Sequence, residues 1–259
     1  MNRAPRRHDT DAGGPAGVLA AKAARRDDVW KAMSQPGVTR FPGPRNRIPN
    51  FVGAEDAARR LQATPAWNRA GTVKANPDAP QWPVRQRALE DGKVLYMAVP
   101  RLAEAKPFFL LDPEHITGSP RSATSIKGAA RSARMVGVDE LQPVDLVVAG
   151  SVAVGEDGAR LGKGGGFSDL ELALAAEAGL VDARTVIATT VHDVQVRPAG
   201  DIPVTAHDFA VDLVVTPTRV LEVRRGGRRP LPRVRWDELT DEKIAAIPLL
   251  QRLRPAPRH

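Results

Sequence analysis

The sequence predicts one α/β domain with a mainly parallel sheet, and three observations carry that prediction. The runs 94–99, 144–149, 185–191 and 211–216 are largely apolar on both faces, as strands of a covered parallel sheet are. Stretches of helical spacing lie between many of them, and strands alternating with helices build βαβ units. The 259 residues are 42% hydrophobic and 26% charged, close to an ordinary globular domain and long enough to bury a sizeable core.

The elements follow in order. Residues 1–16 read as a disordered tail, residues 17–254 as the single domain, and residues 255–259 as a short C-terminal tail. Between Pro15 and Met33 the apolar positions Val18, Leu19, Ala23, Val29, Trp30 and Met33 recur at helical spacing, with a basic face between them, until Pro36-Gly37 ends the helix. Pro42, Pro44 and Pro49 keep residues 40–50 extended. A short helix is expected over 55–61, a strand over 71–75, a helix over 84–90 and a strand over 94–99. A further strand is expected at 108–111, weak helical character over 121–136, and a strand within 144–149. A glycine loop at 162–166 precedes a helix over 169–178, and strands follow at 185–191 and 211–216. Residues 226–232 read as a breaker-rich linker, and residues 238–253 as one last amphipathic helix.

Several classes are excluded. Without cysteine there is no disulfide, no thiolate metal site and no cysteine nucleophile, so packing alone must hold the fold. The apolar stretch 144–154 is broken by Asp145 and glycine and falls short of the ~20 residues that cross a bilayer, so no membrane span is expected. Arg3, Arg6 and Arg7 are followed by a polar, glycine-rich segment where a secretory signal needs apolar residues, so the expected location is cytoplasmic. The formal net charge of +8 sits at the ends: residues 1–48 hold ten Lys/Arg and four acids, and residues 222–259 hold ten and five. Runs of this kind are ordinarily solvated surface. Few aromatics lie among them, so the rings that would stack single-stranded bases are missing and nucleic acid is not the expected partner.

The stretch that carries chemistry is Arg160-Leu161-Gly162-Lys163-Gly164-Gly165-Gly166-Phe167-Ser168-Asp169. Four glycines in five positions free the backbone to approach a ligand, and amides ahead of a helix N-terminus make an anion cradle, with Arg160 and Lys163 adding charge. Asp169 either caps that helix or holds Mg²⁺. The plainer reading is a strand-to-helix turn with Asp169 as N-cap. No Gly-x4-Gly-Lys-[Ser/Thr] run exists, so this is not a P-loop.

That stretch resembles the Arg-Leu-Gly-x-Gly-x-Gly-Tyr-Tyr-Asp signature of the 5-formyltetrahydrofolate cyclo-ligase family, also called methenyltetrahydrofolate synthetases. Other segments agree in order: Lys22 and Arg26 on the first helix, the strand from Lys93 to Pro100, Asp145 to Ala149, and Ile202-Pro203 through His207-Asp208 to Thr216. Arg47-Ile48-Pro49-Asn50-Phe51, Val73-Lys74-Ala75-Asn76-Pro77-Asp78, Val191-His192-Asp193 and Thr216-Pro217-Thr218-Arg219-Val220 look like the methenyltetrahydrofolate synthetase domain-containing branch. The resemblance runs from residue 22 to about 254. It implies a Rossmann-like three-layer α/β domain related to the ribose-phosphate isomerase and CoA-transferase folds. It also implies Mg-ATP-dependent conversion of a reduced folate, 5-formyltetrahydrofolate, to 5,10-methenyltetrahydrofolate.

By that resemblance Lys22, Arg26, Lys163 and the backbone of Gly162, Gly164, Gly165 and Gly166 hold the ATP phosphates. Arg160, Lys163 and Asp169 form the catalytic group, with Asp169 binding Mg²⁺, and Phe167 and Asp78 face the substrate. Apart from the resemblance, Trp82 beside the Asn76 to Gln81 segment is the tryptophan placed to contact a pterin or aryl ring of the substrate. Two departures stand out. Phe167 and Ser168 replace the family's paired tyrosines, and the segment Asn76-Pro77-Asp78-Ala79-Pro80-Gln81 lacks the folate-contacting Glu, for which Asp78 is the substitute. A different class, a non-catalytic nucleotide- or RNA-binding protein on the same fold, is the alternative. His192-Asp193 and His207-Asp208 are read as loop hydrogen-bonding residues, since adjacent strand residues point to opposite faces. Arg219 reaches either the site or an ion pair. Ser168 has no evident base and there is no Gly-x-Ser-x-Gly elbow, which leaves no serine-hydrolase reading.

Overall fold

A computed structural model describes residues 14–224, 227 and 229–255. The expected terminal tails lie mostly outside these residues, as do Gly226 and Arg228 of the expected linker. In chain order come α1 (Pro15–Met33), α2 (Ala54–Gln62), α3 (Pro65–Arg69), β1 (Thr72–Ala75), α4 (Trp82–Glu90) and β2 (Val94–Ala98). Then follow β3 (Phe108–Leu111), α5 (Pro120–Ala123), α6 (Ile126–Ser132), β4 (Arg134–Val136), β5 (Leu146–Ala149), β6 (Ala153–Gly155) and β7 (Arg160–Leu161). The last elements are α7 (Phe167–Glu177), β8 (Val186–Thr190), β9 (Val196–Arg197), β10 (Leu213–Val215), β11 (Val220–Glu222), α8 (Asp241–Ala246) and α9 (Pro248–Leu253).

Eight strands form one sheet in the order β11-β10-β8-β5-β1-β2-β3-β4. The central five, from β10 to β2, are parallel, and the flanking strands are antiparallel. Strand periodicity sends neighbouring residues to opposite faces, which gives two cores. Val73, Ala75, Leu95, Leu146 and Val148 pack with α2, α4 and the end of α1. Tyr96, Ala98, Val147 and Ala149 pack with α7, α8 and α9 on the other face. The result is a three-layer α/β domain with a mostly parallel sheet, as the sequence predicts. A small second sheet, β7-β6-β9, stands beside the first. Among the described residues no helix is long and apolar enough to cross a membrane.

Three local expectations are corrected. Residues 121–136 are not one helical stretch: α5 and α6 are short, and residues 134–136 form β4 because β3 offers them an antiparallel partner. The last helix breaks at Ile247, whose backbone is extended (φ −123°, ψ 102°), because Pro248 disfavours helical geometry in the residue before it. The apolar stripe of α1 is buried only at Val29, Trp30 and Met33, whereas Leu19 is 57% exposed and Lys22 is buried. The first half of α1 does not lie on the core. It packs on polar loops, where Arg25 pairs with Asp201 at 2.7 Å.

β1 has β2 on one side and β5 on the other, so the strand order reverses there. Open α/β sheets bind ligands in the crevice beyond the carboxyl ends of such strands. Asn76 continues β1, its amide donating to the carbonyl of Val148 at 3.1 Å, and Gly150 follows β5.

Candidate active site at the carboxyl ends of the parallel strands

The glycine loop is held from below by Arg160. This residue is 3% exposed; its Nε donates to the carbonyl of Gly150 at 3.1 Å and its Nη1 to Asp169 Oδ1 at 3.2 Å. Its guanidinium also lies 4.4 Å from the centre of the Phe209 ring. Gly164 (φ +105°) and Gly166 (φ +66°) take backbone conformations that side-chain-bearing residues avoid, and Gly166 is the N-cap of α7. Asp169 is therefore three residues past the cap, in the first turn, rather than the cap itself. A helix N-terminus contributes about 0.3–1 kcal/mol to holding an anion, so a highly charged anion there would need surrounding cations as well.

The structure brings three expected cations to this loop. Arg26 Nε donates to the carbonyl of Gly162 at 2.7 Å. Burial lowers its pKa, against the pull of Asp208 and Asp169, which marks a guanidinium taken partly out of water without full compensation. Arg160 lies beneath the loop. Lys163 is half exposed and stands 3.8 Å from Asp78 Oδ1. Lys22 is placed differently: its buried ammonium is ion-paired with Asp208 and donates to Thr205 Oγ1 at 3.0 Å.

Across from the loop lies the segment after β1. The buried guanidinium of Arg85 donates to the carbonyls of Asn76 (2.6 Å), Asp78 (3.0 Å) and Thr124 (3.0 Å), which fixes the path of the segment despite its prolines. Burial lowers the pKa of Arg85 to about 10. Burial raises that of the Asp78 carboxyl, opposed by Lys163, Arg85 and Arg160. Gln81 is fully buried; its Nε2 donates to Thr190 Oγ1 at 3.2 Å, while its Oε1 has no hydrogen-bond partner. A Cβ added to Gly150 would stand 2.8 Å from Asp78 Oδ2 and 3.1 Å from Gln81 Oε1, so the bare glycine admits two oxygens to one spot. Asn76 Nδ2 donates to Ser168 Oγ at 3.0 Å, tying this segment to the start of α7.

Other expected residues take simpler places. Trp82 donates through Nε1 to the carbonyl of Arg121 at 3.0 Å and carries the Arg121 guanidinium on its ring. Phe167 is half-buried beneath Lys243, whose ammonium is 5.5 Å from the ring centre. His192 caps a short turn, its Nδ1 accepting from the amide of Val194 at 3.3 Å, and burial lowers its pKa. His207 pairs with Glu238 at 2.7 Å, and Arg219 lies 3.7 Å from Asp193. Both histidines thus serve loop structure. Among the described residues no group of three or more His, Asp or Glu side chains is placed to hold a metal by itself. A divalent cation at Asp169 would need phosphate oxygens beside that carboxylate, a donor set that suits Mg²⁺.

Sequence reasoning missed Arg85 and Lys243, and gave no site role to Gln81 or to Asp208, which it read as a loop hydrogen-bonding residue. The Asn76–Gln81 segment was in view, but a glutamine carries no motif signal. Arg85 and Lys243 look like ordinary helix-surface cations in the sequence.

A glycine-rich loop ringed by cations faces an acceptor-lined segment, both at the switch point of an open, mostly parallel sheet, the architecture of an α/β protein with a candidate site at its strand ends. The chain belongs to the 5-formyltetrahydrofolate cyclo-ligase family, whose sequence profile matches residues 20–217. It is 39% identical over 237 residues to the methenyltetrahydrofolate synthase domain-containing protein of Mus musculus, covering 90% of this chain and 63% of that one. Against the Homo sapiens protein of the same name it is 36% identical over 243 residues, covering 93% and 63%. The chain thus spans less than two thirds of these relatives' length. The solved 5,10-methenyltetrahydrofolate synthetase of Aquifex aeolicus shares the fold, with a TM-score of 0.52 and 20% identity over 83% of this chain and 98% of that one.

Proposed function

We propose that the chain is an ATP- and Mg²⁺-dependent cyclo-ligase that converts 5-formyltetrahydrofolate to 5,10-methenyltetrahydrofolate. The observation that carries this reading is the 3.8 Å approach of Lys163 to Asp78, which joins the anion-binding loop to the acceptor segment in one crevice. Two ligands of opposite character then meet there. Arg26, Arg160, Lys163 and the amides of residues 162–166 hold the triphosphate. Asp78, held only by the long contact to Lys163, and Gln81 Oε1, which has no hydrogen-bond partner, orient the N–H groups of a reduced pterin.

The chemistry balances as two displacements. The formyl oxygen attacks the γ-phosphorus and ADP departs; N10 then attacks the activated carbon and gives up its proton to solvent, and phosphate leaves with the former formyl oxygen. Phosphoryl transfer of this kind is served by positioning and by charge placed against the phosphate oxygens. Asp169 would hold Mg²⁺, which supplies charge neutralisation at the phosphates. Arg160, bound at once to Asp169 and to the Gly150 carbonyl, sets the loop against the strand end. Phe167 offers a ring to the substrate without the phenol hydroxyl found in the family signature.

The test is to mix the full chain with Mg-ATP and 5-formyltetrahydrofolate while following methenyl absorbance and ADP release together. Both signals are expected, and Asp169→Ala is expected to abolish both. ADP without the methenyl product would assign a different acceptor. Nucleotide binding with neither product would overturn the enzyme reading in favour of a binding protein.

A further inference from the structure

The segment after residue 217 lies outside the family match, yet it returns to the glycine loop. Its course is fixed at several points. The amide of Val234 donates to Glu177 Oε1 at 2.8 Å, at the C-terminal end of α7. Glu238 then pairs with His207 at 2.7 Å, and Lys243 on α8 donates to the carbonyl of Gly165, just ahead of the N-terminus of α7, at 3.3 Å. The strap therefore runs back along α7, from its end to its start. Val234, Ile244, Ile247, Leu249 and Leu250 are buried in the same core as the α7 leucines, so the strap is anchored by packing. Lys243 sits next to buried Ile244, and its place over the loop is set by that anchor.

We infer that Lys243 is an additional ligand for the phosphates of the nucleotide, supplied to the glycine loop by the C-terminal strap. This rests on the ATP-dependent reading above. Three observations support it. The ammonium lies 3.1 Å from where a Cβ would stand on Gly166, directly over the N-cap of α7. It faces a carbonyl and a ring and makes no ion pair with a described carboxylate, so its charge is uncompensated. Lys22 is ion-paired with Asp208 and Arg160 with Asp169, so Arg26, Lys163 and Lys243 are the cations at the loop without a short ion pair to set against a triphosphate. Exchanging the long 3.3 Å bond to a neutral carbonyl for one to a phosphate oxygen is favourable, because charge-assisted bonds are shorter and stronger.

The experiment is direct binding of Mg-ATP, Mg-ADP and AMP by calorimetry to the wild-type chain, Lys243→Ala and Lys243→Arg. Lys243→Ala is expected to weaken ATP binding about tenfold or more, to weaken AMP binding less, and to leave the melting temperature of the free protein unchanged. Lys243→Arg should restore most of the ATP affinity, which a merely structural side chain would not do. Tight ATP binding by wild type with equal affinity in Lys243→Ala would overturn this inference and leave the cyclo-ligase reading standing. Equal losses for ATP and AMP would overturn it too, by assigning Lys243 to loop structure. No ATP binding by wild type would overturn the parent reading and this one with it.

Discussion

The glycine loop and the Asn76–Gln81 segment lie close together at the carboxyl ends of the sheet, yet they present opposite chemistry. The loop side offers cations: Arg26, Lys163 and Lys243. The segment side offers acceptors, the Asp78 carboxyl and the unpartnered Gln81 Oε1, pressed towards Gly150. The contrast extends to the two aspartates nearest the cations. Asp208 is pushed up by burial but brought below its ordinary pKa by bonds from Lys22 and Thr205 and by the Lys22 charge, so it is a structural anion with its partner in place. Asp78 is raised by burial that Lys163, Arg85 and Arg160 only partly oppose, and its one ion pair, to Lys163 at 3.8 Å, is long. The proposed reaction, with one anionic and one donor-rich ligand, calls for this division.

The division is broken most severely at Arg160, which serves both sides. Arg160→Ala leaves Asp169 and the Gly150 carbonyl without their donor and is expected to cost about 3–5 kcal/mol, the range for breaking a buried charge pair. Chemical denaturation measures it, and a loss under 1 kcal/mol would show that the loop stands without this support. Gly150→Ala sharpens the contrast instead. The added methyl crowds Asp78 and Gln81 and is expected to cost about 1–3 kcal/mol; folate affinity should fall while Mg-ATP affinity holds. A parallel fall in both affinities would mean that the two sides are one.

The smallest effect is in pH dependence, and its sign differs between the aspartates. The folded pKa of Asp208 is below 3.8, so its stabilisation is present above that pH and is lost as pH falls through the folded value. Asp208→Asn should therefore flatten the acid limb of a melting-temperature profile. The folded pKa of Asp78 is above 3.8, so its burial cost develops as pH rises from 3.8 through the folded value. Asp78→Asn should melt higher than wild type above that window and equal to it below. A wild-type profile matched by Asp78→Asn at every pH would show that Lys163 compensates the carboxylate fully.

Much of the fold was legible because its signals are local. The ends of α1 and β3 fall where the residue pattern puts them, since Pro36-Gly37 stops one and a short apolar run defines the other. The β7-β6-β9 sheet was not legible, because strands of two or three residues are too short to show a period. β4 was misread for a related reason: three residues become a strand only when β3 lies beside them.

The candidate site divides along the same line. The sequence by itself determined the parallel α/β core, the glycine loop ahead of a helix and the family to which they belong. All of these rest on runs of residues adjacent in the chain. Only the tertiary structure decided which cations are free. Lys22 and Arg26 are one turn apart on one helix, but Asp208, 186 positions from Lys22, neutralises the first, while the second meets Gly162, 136 positions away. Lys243 comes to Gly165 across 78 positions, and Gln81 Oε1 meets Gly150 across the strand ends. Periodicity reports which face of an element a residue occupies. What stands opposite that face is set by how the chain packs back on itself, and there burial and charge pairing decide which groups remain to meet a ligand.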